Sequence, residues 1–145
     1  MEKSCIFYAS KYHLTLIILE YLKNKNTEKY TVNTFLENEI ENEVKKLKEK
    51  YKIKTYSANN ISFKETKEID KKKIDNTSNM IFIIEGNLDY IKEANNYIKK
   101  YLYNKKIENV EIINCFEFNK NRDYIEEILK ENEKILYTSG SKTID

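Results

Sequence analysis

Polar side chains that are able to do acid–base chemistry follow the apolar runs of this 145-residue sequence. Glu85 comes directly after the most hydrophobic run, residues 80–84, and Asn87 stands two positions later. A carboxylate in this position can act as a general base when neighbouring polar groups orient its target. Asn87, Asn119 and Arg122 are the candidate orienting groups, so an enzyme with a carboxylate-based site is one hypothesis for this chain.

The end of the first strand-like run excludes ordinary nucleotide chemistry. A phosphate loop needs a glycine-rich turn with Lys-Ser or Lys-Thr, and a dinucleotide site needs three glycines after the first strand. Here the run ends in Tyr8-Ala9-Ser10-Lys11, without a glycine. Ser10 and His13 do not form a nucleophile elbow, so the sequence contains no recognisable catalytic constellation.

Histidine and cysteine usage argues against a metal site. His13 is the only histidine, and no cysteine or carboxylate pair stands beside it at ligand spacing. We expect neither a metal nor another cofactor. Cys5 and Cys115 lie in apolar runs, which predicts buried free thiols, with a disulfide between them as the alternative.

The charges are balanced and interleaved. There are 26 basic and 24 acidic side chains, for a net charge of +2, which gives no broad basic face and disfavours nucleic-acid binding. The densest basic cluster is Lys71-Lys72-Lys73 with Lys64 and Lys67 nearby, and acidic residues are interleaved over the stretch 64–75, so we interpret it as a solvated loop or short helix. Contact with RNA or with a protein partner through this cluster is the alternative, and the 12 tyrosines leave a homodimer interface open.

Helical and strand-like segments alternate along the chain. The β-branched and apolar runs predict strands over 5–9, 30–35, 53–56, 80–84, 110–118 and 135–137. Apolar residues at helical spacing predict helices after Ser10, over 39–51, over 88–102 and over 124–129. Residues 65–74 are expected to form a short helix or, because asparagine-rich stretches frame them, a loop-rich excursion. The tail after residue 138 is expected to fray.

This alternation predicts an α/β protein with one domain over residues 1–145. Three layers and a mostly parallel central sheet of five to six strands follow from the helical crossovers. Ligands of such sheets bind beyond the carboxyl ends of the strands. The predicted pocket residues at this edge are Tyr8, Ser10, Glu37, Glu85, Gly86, Asn87, Asn119 and Arg122. The alternative is that these side chains only shape loops and cap helices.

Two stretches resemble the MEDS sensory domain, which is associated with DcmR-type regulators. Residues 6–10 (Ile-Phe-Tyr-Ala-Ser) precede an aliphatic helix, and residues 112–118 carry Cys115 between aromatic and aliphatic neighbours. Ile83-Ile84-Glu85-Gly86 is similar to the acid–glycine region of the family in reversed order. Two histidines and a tryptophan of the family are missing, and Asn132 stands where one of those histidines would be.

The resemblance implies a RecA-like/Rossmann-like core without a P-loop that serves as a sensory domain. We therefore expect a non-enzymatic sensory or regulatory domain that binds a small ligand or a protein partner at the carboxyl edge of the sheet. A carboxylate-based enzyme and a nucleic-acid-associated accessory protein are the alternatives. No apolar run approaches the length of a membrane span, so we expect a cytoplasmic protein without membrane contact.

Overall fold

One sheet organises the protein, whose computed structural model describes residues 1–23, 25, 30–51, 61–75 and 77–144. Within these ranges there are six strands: β1 (Glu2–Tyr8), β2 (Thr31–Leu36), β3 (Asn79–Glu85), β4 (Asn109–Glu117), β5 (Lys134–Tyr137) and β6 (Gly140–Thr143). They are ordered β2-β3-β4-β1-β5-β6. All neighbouring pairs are parallel except β5 and β6, so the predicted mostly parallel sheet is confirmed.

Helices cover both faces of the sheet. The helices α1 (Lys11–Lys23) and α2 (Glu41–Tyr51) pack on one face, and α3 (Leu88–Leu102) and α4 (Ile125–Glu131) pack on the other. Successive side chains of a strand point to opposite faces. Ile81 and Ile83 of β3 accordingly join the first apolar layer, while Phe82 joins the second. The predicted three-layer α/β fold is confirmed.

The order of the strands reverses beside β1. The connection from β1 leads across the sheet to β2 at one edge, whereas the connection from β4 leads past β1 to β5. The order β5-β1-β4-β3-β2 is RecA-like, and it differs from the 3-2-1-4-5-6 order of dinucleotide-binding sheets. Because α1 and α4 leave the neighbouring strands β1 and β4 toward opposite faces, a topological switch point lies at the carboxyl ends of this pair.

The free edge of β2 is covered by residues 61–75, which we call the edge segment. The Thr66 amide donates to the Leu36 carbonyl (2.7 Å), and the Thr34 hydroxyl donates to the Ser62 carbonyl (2.7 Å). Phe63 is buried in the layer of α1 and α2, whereas the segment's Ile69 is buried in the layer of α3 and α4. The edge segment therefore passes around the sheet from one helical layer to the other and shields an edge strand.

Of the two alternatives for residues 65–74, the structure shows the loop, since only Ile69–Lys71 forms a helical turn, of the 3-10 type. One local prediction is wrong. The tail does not fray, because β6 pairs with β5 and the Ile144 amide donates to the Glu133 carbonyl (2.8 Å). The strand predicted over 53–56 lies outside the described residues.

The two thiols are free and fully buried, as predicted. Cys115 faces the layer of α1 and α2, while Cys5 faces the layer of α3 and α4. Since the sheet separates them, the alternative of a disulfide between them is wrong. Burial raises the pKa of Cys5 to about 12 and that of Cys115 well above its usual value.

Candidate functional site

Glu85 is the centre of a buried cluster at the carboxyl edge. Its side chain belongs to the last residue of β3 and the residue is 1% exposed. Oε1 accepts hydrogen bonds from the Tyr8 hydroxyl and from the Asn38 side-chain amide, both at 2.9 Å. Oε2 accepts one from the Asn38 backbone amide, also at 2.9 Å. One carboxylate thus joins the ends of β1 and β3 to the loop after β2.

A second contact holds the loops after β2 and β3 together. The Asn87 amide donates to Glu37 Oε1 (2.9 Å), and Asn87 Oδ1 caps α3 by accepting from the Tyr90 amide (2.8 Å). Gly86 lies between them with a φ of 157°. A β-carbon there would lie 2.8 Å from the Tyr90 ring and 2.9 Å from the β-carbon of Glu37. The two loops can approach this closely because residue 86 is glycine.

In the loop after β1, the polar side chains bond to backbone amides at the start of α1. Ser10 Oγ accepts a hydrogen bond from the His13 amide (3.2 Å), as expected for the residue that caps α1. His13 Nδ1 in turn accepts from the Ala9 amide (3.1 Å). Both side chains therefore stabilise the turn between β1 and α1. Among the described residues there is no cluster of three or more metal-ligating side chains.

The loop after β4, residues 118–124, carries an arginine and two exposed aromatic residues, and we call it the edge loop. Phe118 is 41% exposed and Tyr124 is 46% exposed. The guanidinium of Arg122 lies 5.5 Å from the centre of the Phe118 ring and donates to Asn119 Oδ1 (2.9 Å). Asn121 of the same loop is buried, and its side-chain amide donates to the backbone carbonyl of Glu117 (2.7 Å).

The predicted site residues therefore fall into four sets along one edge. Tyr8 and Glu85 are in direct contact across β4. The other sets are the loop contact of Glu37, Gly86 and Asn87, the pair Asn119 and Arg122, and Ser10 in its own cap.

Sequence reasoning missed Asn38, Phe118 and Tyr124. Only the two aromatic residues left a signal, since they bracket a strongly polar stretch directly after a predicted strand.

The Glu85 cluster is suited to a structural role, because its hydrogen bonds hold neighbouring loops together. Burial, reinforced by the Glu85 carboxylate, raises the pKa of the Tyr8 hydroxyl well above its usual range, so Tyr8 stays a neutral donor. Burial also raises the pKa of Tyr90, whose hydroxyl donates to the Thr66 carbonyl at 2.8 Å. Each oxygen of Glu85 already accepts at least one hydrogen bond, and neither faces open solvent.

Comparison with known proteins returns no match to a family model, to a curated protein or to a solved structure. In the part of the chain that the structure describes, every helix is too short or too polar to cross a membrane.

Proposed function

We propose that this chain is a non-enzymatic regulatory domain that binds a protein partner through the edge loop. The observation that carries the proposal is the pair of exposed aromatic residues in the edge loop: Phe118, whose ring lies by the Arg122 guanidinium, and Tyr124, which follows Arg122 by two residues in the sequence. Aromatic residues and arginine are enriched in protein interfaces and dominate their binding energy. The edge loop also follows β4, directly at the switch point between β1 and β4, where open α/β sheets bind their ligands.

The edge loop is ordered before any partner arrives. The buried Asn121 bonds back to Glu117, and the Tyr124 amide donates to the Asn121 carbonyl (3.0 Å). Phe118 also packs edge-on against Phe7, with ring centres 6.5 Å apart. A loop held in this way loses little conformational entropy on binding, which favours affinity.

The charge of the edge loop indicates the chemistry of the partner. Arg122 has five N–H donors in a planar fork, and one contact of this fork goes to Asn119. A carboxylate can take the donors that remain, and the neighbouring Phe118 ring suits an apolar side chain. We therefore expect the partner to present an acidic residue next to an aliphatic or aromatic one.

The Glu85 cluster supports a non-enzymatic role. A general base must reach the proton that it removes, whereas Glu85 is enclosed and hydrogen-bonded on both oxygens. The RecA-like strand order and the glycine-free turn after β1 are in keeping with the resemblance to MEDS domains. We place the domain in the cytoplasm, and association with a second copy is the rival use of the edge loop.

Photo-crosslinking in the cells that naturally produce the protein tests this proposal. A benzophenone amino acid replaces Tyr124 in the edge loop, or Tyr103, which is 75% exposed at the far end of α3. We expect an ultraviolet-dependent adduct with another protein from position 124 and none from position 103. Arg122→Glu should abolish the adduct, whereas the same charge change at the exposed Lys130 should not.

Three results would overturn the proposal. They are no adduct from position 124, adducts of equal yield from positions 124 and 103, and an adduct whose mass is twice that of the chain. The last of these would assign the edge loop to self-association. Circular dichroism of each variant checks that the fold is intact.

A further inference from the structure

A groove of about 440 Å³ lies between α3 and α4, on the face of the sheet opposite to α1. We call it the helix groove. Its size is within the range of small-molecule sites. Side chains of β1 and β4 line it together with those of the two helices, and none of its lining residues belongs to the edge loop. The helix groove is therefore a candidate site of its own.

β4 contributes Asn114 and Phe116 to the floor of the helix groove. Phe116 is buried in the layer of α3 and α4, and Asn114, two residues earlier, shares its face of the sheet. Asn114 Oδ1 accepts from the Asn95 side-chain amide of α3 (2.8 Å), and the Asn114 amide donates to Asn132 Oδ1 directly after α4 (3.0 Å). These hydrogen bonds tie both helices to the sheet, so the groove is ordered before any ligand binds.

Lys3 extends the lining toward the amino end of the sheet. It lies in β1 beside Ile112 of β4. Its side chain is on the face of α3 and α4, because Cys5, two residues later in the same strand, is buried in that layer. Lys3 lines the helix groove and is only partly exposed, although lysine is mostly an exposed residue. It therefore supplies a positive charge on the groove side of the sheet.

Lys3 is also the cation of the helix groove that has no acidic partner. Lys92, the second cation in the lining, lies 2.8 Å from Glu127. This contact raises the pKa of Lys92, and the acid in the lining, Glu131, adds to the rise. The ammonium group of Lys3 has no ion-pair or hydrogen-bond partner among the residues that the structure describes. The acids of α4 thus act on Lys92, and Lys3 is left to attract an anion.

The opposite end of the helix groove is apolar. Phe116 is four residues beyond Ile112, so it lies about 13 Å from the level of Lys3 along the strand direction. Leu88 begins α3 directly after the carboxyl end of β3, and it lines the groove at the same end of the sheet as Phe116. Both side chains pack in the apolar layer of α3 and α4. The helix groove therefore combines a cation at its amino end with an apolar surface at its carboxyl end.

We propose that the helix groove binds a small monocarboxylate in which a short chain joins the charged group to an aromatic or aliphatic group. The carboxylate bonds to the ammonium group of Lys3, and the apolar group packs against Phe116 and Leu88. This site requires no protein partner. Failure of the crosslinking experiment leaves it standing, and its own failure leaves the edge-loop proposal standing.

Two probes of nearly equal shape test the proposal by NMR titration of the ¹⁵N-labelled protein. 4-Phenylbutanoate carries the charge, whereas 4-phenylbutanamide keeps the ring, the chain and the carbonyl without it. We expect the carboxylate to shift the side-chain amide signals of Asn114 and Asn132. It should bind about tenfold more tightly than the amide, which corresponds to one hydrogen bond between charged groups. This comparison uses the unaltered chain and does not depend on any variant folding.

Variants then assign the charge to Lys3. Lys3→Met keeps most of the length of the side chain and should weaken 4-phenylbutanoate about tenfold, while the affinity for the amide stays the same. The matched control is Lys106→Met, which removes an exposed cation in the loop between α3 and β4 and should change neither affinity. Added salt should weaken the binding of the carboxylate and leave that of the amide unchanged.

Four results would overturn the proposal. They are equal affinities for the two probes, equal effects of Lys3→Met and Lys106→Met, shifts confined to the edge loop or to another surface, and the absence of any shift up to the solubility limit. In the last case the groove holds water only.

Discussion

Glu85→Gln should lower the free energy of unfolding by about 2 to 3 kcal/mol. The substitution keeps the shape of the side chain and one acceptor oxygen, which can still accept from Tyr8 and from the side chain of Asn38. The new NH₂ group then faces the backbone amide of Asn38, so one charge-assisted hydrogen bond is lost and a buried donor is left unpaired. Each such loss costs roughly 1–3 kcal/mol.

Thermal and urea unfolding measure this effect. For a chain of this size we expect a fall in Tm of roughly 6–9 °C, because 1 kcal/mol corresponds to about 3 °C. The matched control is Glu37→Gln, since the glutamine side chain keeps an acceptor oxygen for the Asn87 amide and the change should cost less than about 0.5 kcal/mol. Tyr8→Phe should cost about 1 kcal/mol alone and less in the Glu85→Gln background.

The anchoring role of Glu85 is refuted if Glu85→Gln and Glu37→Gln have the same effect on unfolding. It is also refuted if the effects of Tyr8→Phe and Glu85→Gln are strictly additive, because residues in contact show a coupling energy.

The remaining predictions concern backbone space, the edge segment and the thiols. Gly86→Ala should cost about 2–4 kcal/mol in urea unfolding, because the added methyl group meets the Tyr90 ring. Gly140→Ala is also at positive φ, but its added methyl group has no atom within 4 Å, so it should cost about 1 kcal/mol less than Gly86→Ala. Equal costs of the two substitutions would contradict the steric argument. Phe63→Ala should cost about 3–5 kcal/mol, and unchanged stability would show that the edge segment does not support the core. The free energy of unfolding should fall between pH 9 and 12, because the Cys5 thiol ionises in the unfolded chain but keeps its proton when folded. Cys5→Ala should make that fall shallower by about 1.4 kcal/mol per pH unit, which pH-dependent unfolding will confirm or reject.

Elements with a strong local pattern could be predicted from the sequence. The apolar run 80–84 is the interior of β3, and α3 begins and ends at the predicted residues 88 and 102. Asn87 explains the start of α3, since its side chain accepts from the Tyr90 amide as an N-cap does. In these places local propensity and burial favour the same structure.

The edge segment could not be predicted because tertiary packing overrides its local pattern. Its charged residues at three-residue spacing are typical of a helix, and one such pair, Glu68 and Lys71, is formed (2.7 Å). Ile69 and Phe63, however, are buried on opposite faces of the sheet. The Thr66 amide donates to the Leu36 carbonyl of β2 rather than to a carbonyl of its own segment, and the segment is non-helical except for one turn.

The candidate site also has parts that the sequence predicts and parts that it does not. Glu85 stands out as a carboxylate after an apolar run, and the structure places it at the centre of a cluster. Its contact with Asn38 has no sequence signal, because one donor is a backbone amide 47 positions away. Asn114 did carry a signal, since it interrupts the apolar run 112–116, and a buried polar residue needs partners. Its partners are far apart in sequence, because Asn95 lies in α3 and Asn132 directly follows α4.

The unequal edges of the sheet limit how copies of this domain can join. On the β2 side, the edge segment already takes the Leu36 carbonyl, so that edge cannot accept a further strand there without displacing it. On the other side, all four residues of β6 are exposed, and no strand of the described chain pairs with its outer edge. Growth of a fibre by strand pairing needs two open edges on each copy. Strand pairing between copies of this chain would therefore join β6 to β6 about a two-fold axis and stop at two copies.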